Sequence, residues 1–210
     1  MRWLRVAAGI LSLQVAVQLA AGQSTRPSDL AQGKLLVAAR DLPDPNFAKT
    51  VVLLVQYDAD GVVGLIVNRR SQVPISKVLD NVAGAKNRTD SVYEGGPVSQ
   101  TEVLALLRSR KQPGESKRVL ADTFLLSSKE DLEQAFQSAV EPDRVHVYAG
   151  YAGWTPPQLE HEMDVGAWFV FQGSAASVFD SDPDTLWSRL IRETELRVAR
   201  AAPLPPSIRR

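Results

Sequence analysis

The sequence predicts an α+β domain built on one strongly bent, largely antiparallel or mixed sheet. Three observations carry this expectation. An unbroken apolar run, Val51-Val52-Leu53-Leu54-Val55, is rich in β-branched residues and too short for a helix. The well-capped amphipathic helices lie in the second half of the chain, behind most of the strands. The resulting order is βββ, α, two or three β, α, β, α, β, αα, which lacks the regular alternation of a doubly wound parallel sheet.

Residues 34–39 form a short apolar run closed by Asp41-Leu42-Pro43-Asp44-Pro45, a dense turn signal. Residues 50–57 follow, and a strand apolar on both faces needs cover on both, which places it centrally. Asp58-Ala59-Asp60-Gly61 then turns the chain, as a four-residue hairpin loop, into Val62-Val63-Gly64-Leu65-Ile66-Val67. Gly64 inside that strand points to a bulge or a close backbone approach. Residues 74–82 read as a short helix. Tyr93, residues 103–107 and residues 119–126 are further strand candidates, the second of them ambiguous with a helical turn.

Ser127-Ser128-Lys129-Glu130 is a capping box, after which Leu132, Ala135, Phe136, Ala139 and Val140 share one helical face. Val145, Val147 and Ala149 alternate with His146 and Tyr148 as in a half-buried strand. Thr155-Pro156-Pro157-Gln158 is a second box with proline at the first helical position, and Gly166 lies just past the end of that helix. Asp182-Pro183 opens the last helix, whose Leu186, Trp187, Leu190 and Ile191 make an apolar stripe.

Composition bounds the function. The 210 residues carry 24 basic and 24 acidic side chains, and 44% are hydrophobic, as in an ordinary globular domain. Cysteine is absent, which excludes a disulfide framework, a thiolate nucleophile and a Cys-ligated zinc or iron–sulfur centre. Balanced charge argues against a dedicated polyanion binder. The first 22 residues read basic, then apolar, then small: Arg2 and Arg5, an uncharged stretch from Val6, and Leu19-Ala20-Ala21-Gly22. That is the layout of a secretory signal, with an uncleaved N-terminal anchor as the alternative. Its removal leaves 22 basic against 24 acidic residues, a mildly acidic exported domain, periplasmic or secreted. Residues 23–32 then read as a polar linker, 33–199 as a single domain, and 200–210 as a Pro-rich tail with a basic tip.

Catalytic patterns are mostly missing. There is no phosphate-cradling G-x-x-x-x-G-K-[ST], no G-x-G-x-x-G after the early strands and no G-x-S-x-G elbow. Glu160-His161-Glu162 and Asp164 put two carboxylates on one helix face, but no second histidine completes a zinc site, and a solvated face explains them. His146 reads as a surface or hydrogen-bonded core histidine. The basic pairs, such as Arg69-Arg70 and Lys117-Arg118, are surrounded by acids without interleaved aromatics, as on a solvated surface. Two glycine-rich strings stand out instead. Tyr93-Glu94-Gly95-Gly96-Pro97-Val98 and Gly150-Tyr151-Ala152-Gly153-Trp154 each follow a strand, and the second leads into the capped helix at Thr155. They suit tight packing on the sheet or an anion at the helix start.

Several ordered motifs together resemble the YqgE/AlgH family. They are Gly33-Lys34-Leu35-Leu36-Val37-Ala38, Asp44-Pro45 with Phe47, Gly64-Leu65-Ile66-Val67-Asn68, Gly95-Gly96-Pro97-Val98, and Gly150 to Trp154 with Gln158-Leu159-Glu160 and Glu162. The resemblance spans residues 30–195 and implies a bifurcated sheet folded into a pseudo-barrel flanked by helices. It implies function weakly: members carry the label of transcriptional regulators, with no reaction assigned. The chain departs from the pattern at Arg70, where relatives usually have proline, and at Pro157, where they commonly have glycine. Its secretory start also sets it apart from relatives taken to be cytosolic.

The expectation is a non-enzymatic binding or regulatory protein acting through contacts with a protein or small ligand, without a cofactor. Its contact surface would carry Asn68, Glu94, Gly95, Gly96, Tyr151, Trp154 and Glu160. A carboxylate hydrolase using Glu94, Glu160 and Glu162, with or without a divalent cation, requires at least two of these groups in one cleft. A DNA-binding regulator requires the protein to stay inside the cell; an exported domain meets a membrane only through residues 1–22, and only if they stay uncleaved.

Overall fold

The protein, seen as a computed structural model, is described over residues 24–138 and 140–201. The expected leader, most of the expected basic tail, and Ala139 lie outside the described residues. Among those described, no helix is long and apolar enough to cross a membrane.

The fold is α+β. Its strands are β1 (Lys34–Ala38), β2 (Val51–Asp58), β3 (Gly61–Ile66), β4 (Arg70–Pro74), β5 (Ser91–Glu94), β6 (Val98–Arg108), β7 (Lys117–Leu120), β8 (Thr123–Leu126), β9 (Val145–Trp154) and β10 (Trp168–Gln172). Its helices are α1 (Ile75–Val78), α2 (Lys129–Gln137), α3 (Pro156–Asp164), α4 (Ala175–Val178) and α5 (Pro183–Ala201). The main path of the sheet runs β10-β1-β2-β3-β9-β6-β8-β7, every neighbour antiparallel. β4 and β5 form a branch, and β5 joins β9 in parallel.

The sheet forks at β9. Its first half lies between β6 and β5, with Tyr93 opposite Tyr148 and Glu94 opposite Ala149. Its second half pairs with β3, with Gly64 opposite Ala152 and Val62 opposite Trp154. The sheet also curls until its ends approach: the Gln32 side-chain amide donates to the Arg118 carbonyl at 2.7 Å, and a Cβ on Gly173 would stand 3.3 Å from the Leu120 side chain. The outer edge of β10 is closed by the incoming chain, since Ser24 and Val170 exchange both backbone hydrogen bonds. The resulting half-barrel has two apolar sides. Leu104, Leu106, Tyr148 and Trp154 pack with β1–β3 and α5, while Ala105, Leu107, Val145 and Val147 pack against α1 and α2.

Several elements differ from expectation for identifiable reasons. The hairpin loop after β2 holds two residues, because Asp58 and Gly61 still pair and the Asp58 carboxylate accepts the Asp60 amide. Expected helix 74–82 shrinks to α1, and the polar strand β4 before it escaped notice because it carries no apolar alternation. Residues 103–107 belong to a strand, and 119–126 split into the β7–β8 hairpin. Ser128, one place later than expected, caps α2 by accepting the Asp131 amide. The glycine-rich string at 150–154 continues β9 where a loop was expected. Residues 24–32, expected as linker, dock on the domain through Ser24 and the buried Leu30.

Other readings match in detail. Val51 to Val55 are fully buried in the middle of the sheet. Gly64 faces a register shift in β2 and has Val52 and the Trp154 ring within contact of where a Cβ would stand. Thr155 caps α3 through the Gln158 amide, and the Trp187 indole donates to the Ala38 carbonyl at 2.8 Å, fixing α5 on β1.

At the fork, a Cβ on Gly96 would lie far inside contact with the Tyr151 backbone, whereas one on Gly153 would meet only side chains, the Tyr151 ring at 3.4 Å and Val98 at 3.9 Å. Urea unfolding should therefore show Gly96→Ala losing about 3 kcal/mol or more and Gly153→Ala losing no more than about 1 kcal/mol. Equal losses would mean that the fork does not depend on that backbone approach.

Candidate functional site

The fork builds a cleft. The Gly95 amide donates to the Ala149 carbonyl at 2.9 Å, while its own carbonyl accepts the Ile66 amide at 2.9 Å, so one residue ties β3, β5 and β9. Between Val98 and Val103, β6 arches away from β9, with Ser99 at φ +45°. Gly150, at φ +70°, sits under the arch, where a Cβ would stand 2.7 Å from the Gly96 carbonyl oxygen and 2.8 Å from that of Val98. Only glycine combines that left-handed conformation with that proximity. The space beside the arch is about 400 Å³, lined by Asn46, Arg69, Glu94, Gly96 and Gln100. Arg69 is braced from behind, its Nη2 donating to the Ala48 carbonyl at 3.2 Å. The cleft thus offers a positioned guanidinium, an exposed carboxylate and two side-chain amides.

Of the residues expected to form a surface, Glu94 and Gly96 line this cleft, and Gly95 supports it from within. Asn68 is engaged elsewhere: its Oδ1 accepts the Val51 amide at 2.7 Å and its Nδ2 donates to the Lys49 carbonyl at 3.0 Å. It pins the turn at Lys49, a left-handed residue with φ +57°. Trp154 is buried, stacked on Phe47 with ring centroids 5.4 Å apart. Tyr151 stands half-buried on β9 opposite Val98. Glu160 is exposed on α3 and accepts the Tyr57 hydroxyl at 3.3 Å.

The three candidate catalytic acids hold separate posts. Glu94 lines the fork cleft and Glu160 meets Tyr57. Glu162 Oε2 accepts both the Trp154 and the Trp168 indole N–H, at 3.1 and 2.8 Å, and its Oε1 accepts the Gln158 amide. Among the described residues no three His, Asp or Glu side chains gather as a metal site.

A family model described as AlgH-like matches residues 35–199. The chain belongs to the AlgH-like family. A UPF0301 protein of Streptomyces coelicolor is 33% identical over 180 residues, covering 82% of this chain and 91% of that one. A UPF0301 protein of Chlorobaculum tepidum is 32% identical over 165 residues, covering 78% and 86%. Among solved structures, the AlgH protein of Pseudomonas aeruginosa aligns with a TM-score of 0.64 at 27% identity, covering 83% of this chain and 95% of that one. The crystal structure of protein DIP2367 from Corynebacterium diphtheriae shares the fold, with a TM-score of 0.65 at 23% identity over 84% and 90% of the two chains.

Within this AlgH-like domain, sequence reasoning missed Asn46, Arg69 and Gln100. They come from a turn, the β3–β4 connection and an arch that only the fork draws together. Arg69 stood in plain view as half of a basic pair. Its neighbour Arg70 begins β4 opposite Tyr93, beside His146. Pro157 falls in the first turn of α3, where its missing N–H costs nothing.

His146 is more deeply placed than its strand alternation suggested. Its ring stacks on Tyr93 at 4.5 Å between centroids, with Phe179 at 4.9 Å. Burial, opposed only in part by a backbone contact with Val178 and by Asp90, lowers its pKa from 6.5 to about 4. Between these values the unfolded chain holds the proton that the folded chain excludes, so stability falls as pH drops below the unfolded value. From pH 7 to pH 5 the unfolding free energy should lose about 2 kcal/mol through this one group. A His146→Leu variant should lose that much less over the same interval; an unchanged pH dependence would show that the imidazole does not govern it.

Proposed function

We propose that this AlgH-like protein is a non-enzymatic binding protein whose ligand or partner segment sits in the fork cleft. The observation that supports the reading most directly is the juxtaposition of Arg69, Glu94, Asn46 and Gln100 around a crossing of backbones that glycines allow to approach closely. A cation and a carboxylate facing one space of this size suit a group bearing both charges and amide hydrogen bonds, as a peptide end or an amino-acid-like ligand does. Glu160 and Glu162, engaged by Tyr57 and by two indoles, support binding over hydrolysis. Partner choice by such a cleft also fits a regulator that works through protein contacts. The basic, apolar and small order of residues 1–22 supports an exported domain.

The test is a thermal-shift screen of the purified domain against amino acids, dipeptides and singly charged analogues. A zwitterionic or dipeptide ligand at ~100 times its Kd should raise Tm by about 5 °C or more. Glu94→Gln and Gln100→Ala should abolish the rise without altering Tm of the free protein by more than about 3 °C. Turnover of chromogenic ester or phosphate substrates that disappears in Glu94→Gln would replace binding by catalysis. A duplex-DNA gel shift at low salt that vanishes steeply as salt rises would replace it by DNA recognition.

Export has its own check. Fractionation of the native host followed by N-terminal sequencing should recover a chain starting near Gln23 outside the cytoplasm. A full-length cytosolic product would overturn that part of the reading.

A further inference from the structure

The two charges of the fork cleft are not equivalent. Arg69 stands opposite Glu94, whose amide donates to the Arg69 carbonyl at 2.9 Å, one place along from the pair of Arg70 and Tyr93. Side chains at opposed positions of this kind share a face. The two groups nevertheless form no ion pair with each other. Arg69 is turned back instead: its Nη2 donates to the Ala48 carbonyl at 3.2 Å and to that of Pro45 at 3.5 Å. Its Nε and Nη1 have no partner among the described residues.

Glu94 is exposed and keeps its water, whereas Arg69 is half-buried and has no other anion than Glu94 among the residues lining the cleft. A cation drawn partly out of water without a counter-ion gains most from an anion that replaces the lost hydration. A guanidinium with N–H groups left free fits the plane of a carboxylate, two bonds at a time. Glu94, being ionised, only accepts, so the group beside that carboxylate must carry an N–H. A phosphate has none, and its second charge would face Glu94. An α-carboxylate has one on its own residue. The peptide unit before it supplies a further N–H and C=O, and the side-chain amides of Asn46 and Gln100, which have no partner among the described residues, can meet both.

Resting on the reading that this cleft is the binding site, we propose that it captures the C-terminal carboxylate of a partner polypeptide. Arg69 receives the carboxylate, Glu94 accepts the N–H of the last residue, and Asn46 and Gln100 bond the peptide unit before it. A peptide N-terminus would put its ammonium on the exposed Glu94, where an ion pair gains little, and would leave Arg69 without an anion. A free amino acid would leave the two amides unused.

The experiment follows the ¹⁵N-labelled protein with Ala-Ala, its C-terminal amide, its N-acetyl form, alanine and acetate. Ala-Ala should move the Gly96 amide resonance saturably and carry that of the Arg69 Nε–H downfield, as a charge-assisted bond does. The C-terminal amide should bind about tenfold more weakly or worse, the N-acetyl form no more than about threefold more weakly. Alanine and acetate should each fall about tenfold below Ala-Ala. Arg69→Lys, which keeps the charge and loses the fork, should shrink the preference for acid over amide to about threefold, whatever it does to overall affinity. Equal binding of acid and amide, or a greater loss on acetylation than on amidation, would overturn the C-terminal assignment while leaving the cleft a binding site. Alanine binding as tightly as Ala-Ala would replace the polypeptide by a free amino acid. If none of the five compounds moves a resonance of the cleft, the proposal falls together with the reading beneath it.

Discussion

Everything in this fold turns on three backbones meeting where β5 enters between β3 and β9. Main chains approach that closely only when side chains are absent, and Gly95, Gly96 and Gly150 remove them at the crossing. The crossing then dictates what surrounds it. Glu94 must end its strand at the opening, β6 must arch over Gly150, and Arg69 must run beside both. The cleft is thus a by-product of the branching itself, which draws a turn, a connection and an arch to one opening.

A second theme is that this molecule directs much of its buried polarity inward. Asn68 closes the backbone at Lys49 and Val51, and Glu162 joins two indoles from different strands. Arg88 forms a sheltered pair with Asp90 and lies over the Phe136 ring. Each of these residue types suggests chemistry in a one-dimensional reading. In three dimensions each satisfies a group that would otherwise be buried without a partner, an arrangement whose loss is expensive. The acid-rich face of α3 divides accordingly, with Glu160 toward solvent and Glu162 into an aromatic corner.

The sequence made the fold legible where local chemistry and tertiary structure agree. The apolar run of β2, the caps at Ser128 and Thr155 and the stripe of α5 all report interactions within a few residues of themselves. It was silent where an element depends on a distant neighbour. β4 is a polar strand stabilised by β5, and the β7–β8 hairpin divides residues 119–126, which read as one strand. The candidate site was half legible for the same reason. Glycine strings announced the crossing, and so named Glu94 and Gly96, while Arg69, Asn46 and Gln100 reach the opening through connections no local pattern records. Trp154 and Asn68 were noticed because they are chemically conspicuous, yet their conspicuous groups face the interior.

The segment ahead of β1 closes the last strand at a single residue. Ser24 exchanges two backbone hydrogen bonds with Val170, and Leu30 anchors the intervening turn in the core. An uncovered strand margin is a template for another chain. A polypeptide begun at Gly33 would lose the Gln32 bond to Arg118 and the buried Leu30, and would bare the Val170 amide and carbonyl. The nine residues from Ser24 to Gln32 thus cover, at Val170, a strand margin that would otherwise stand open to another backbone, a consequence that neither their polarity nor their distance from the cleft would suggest.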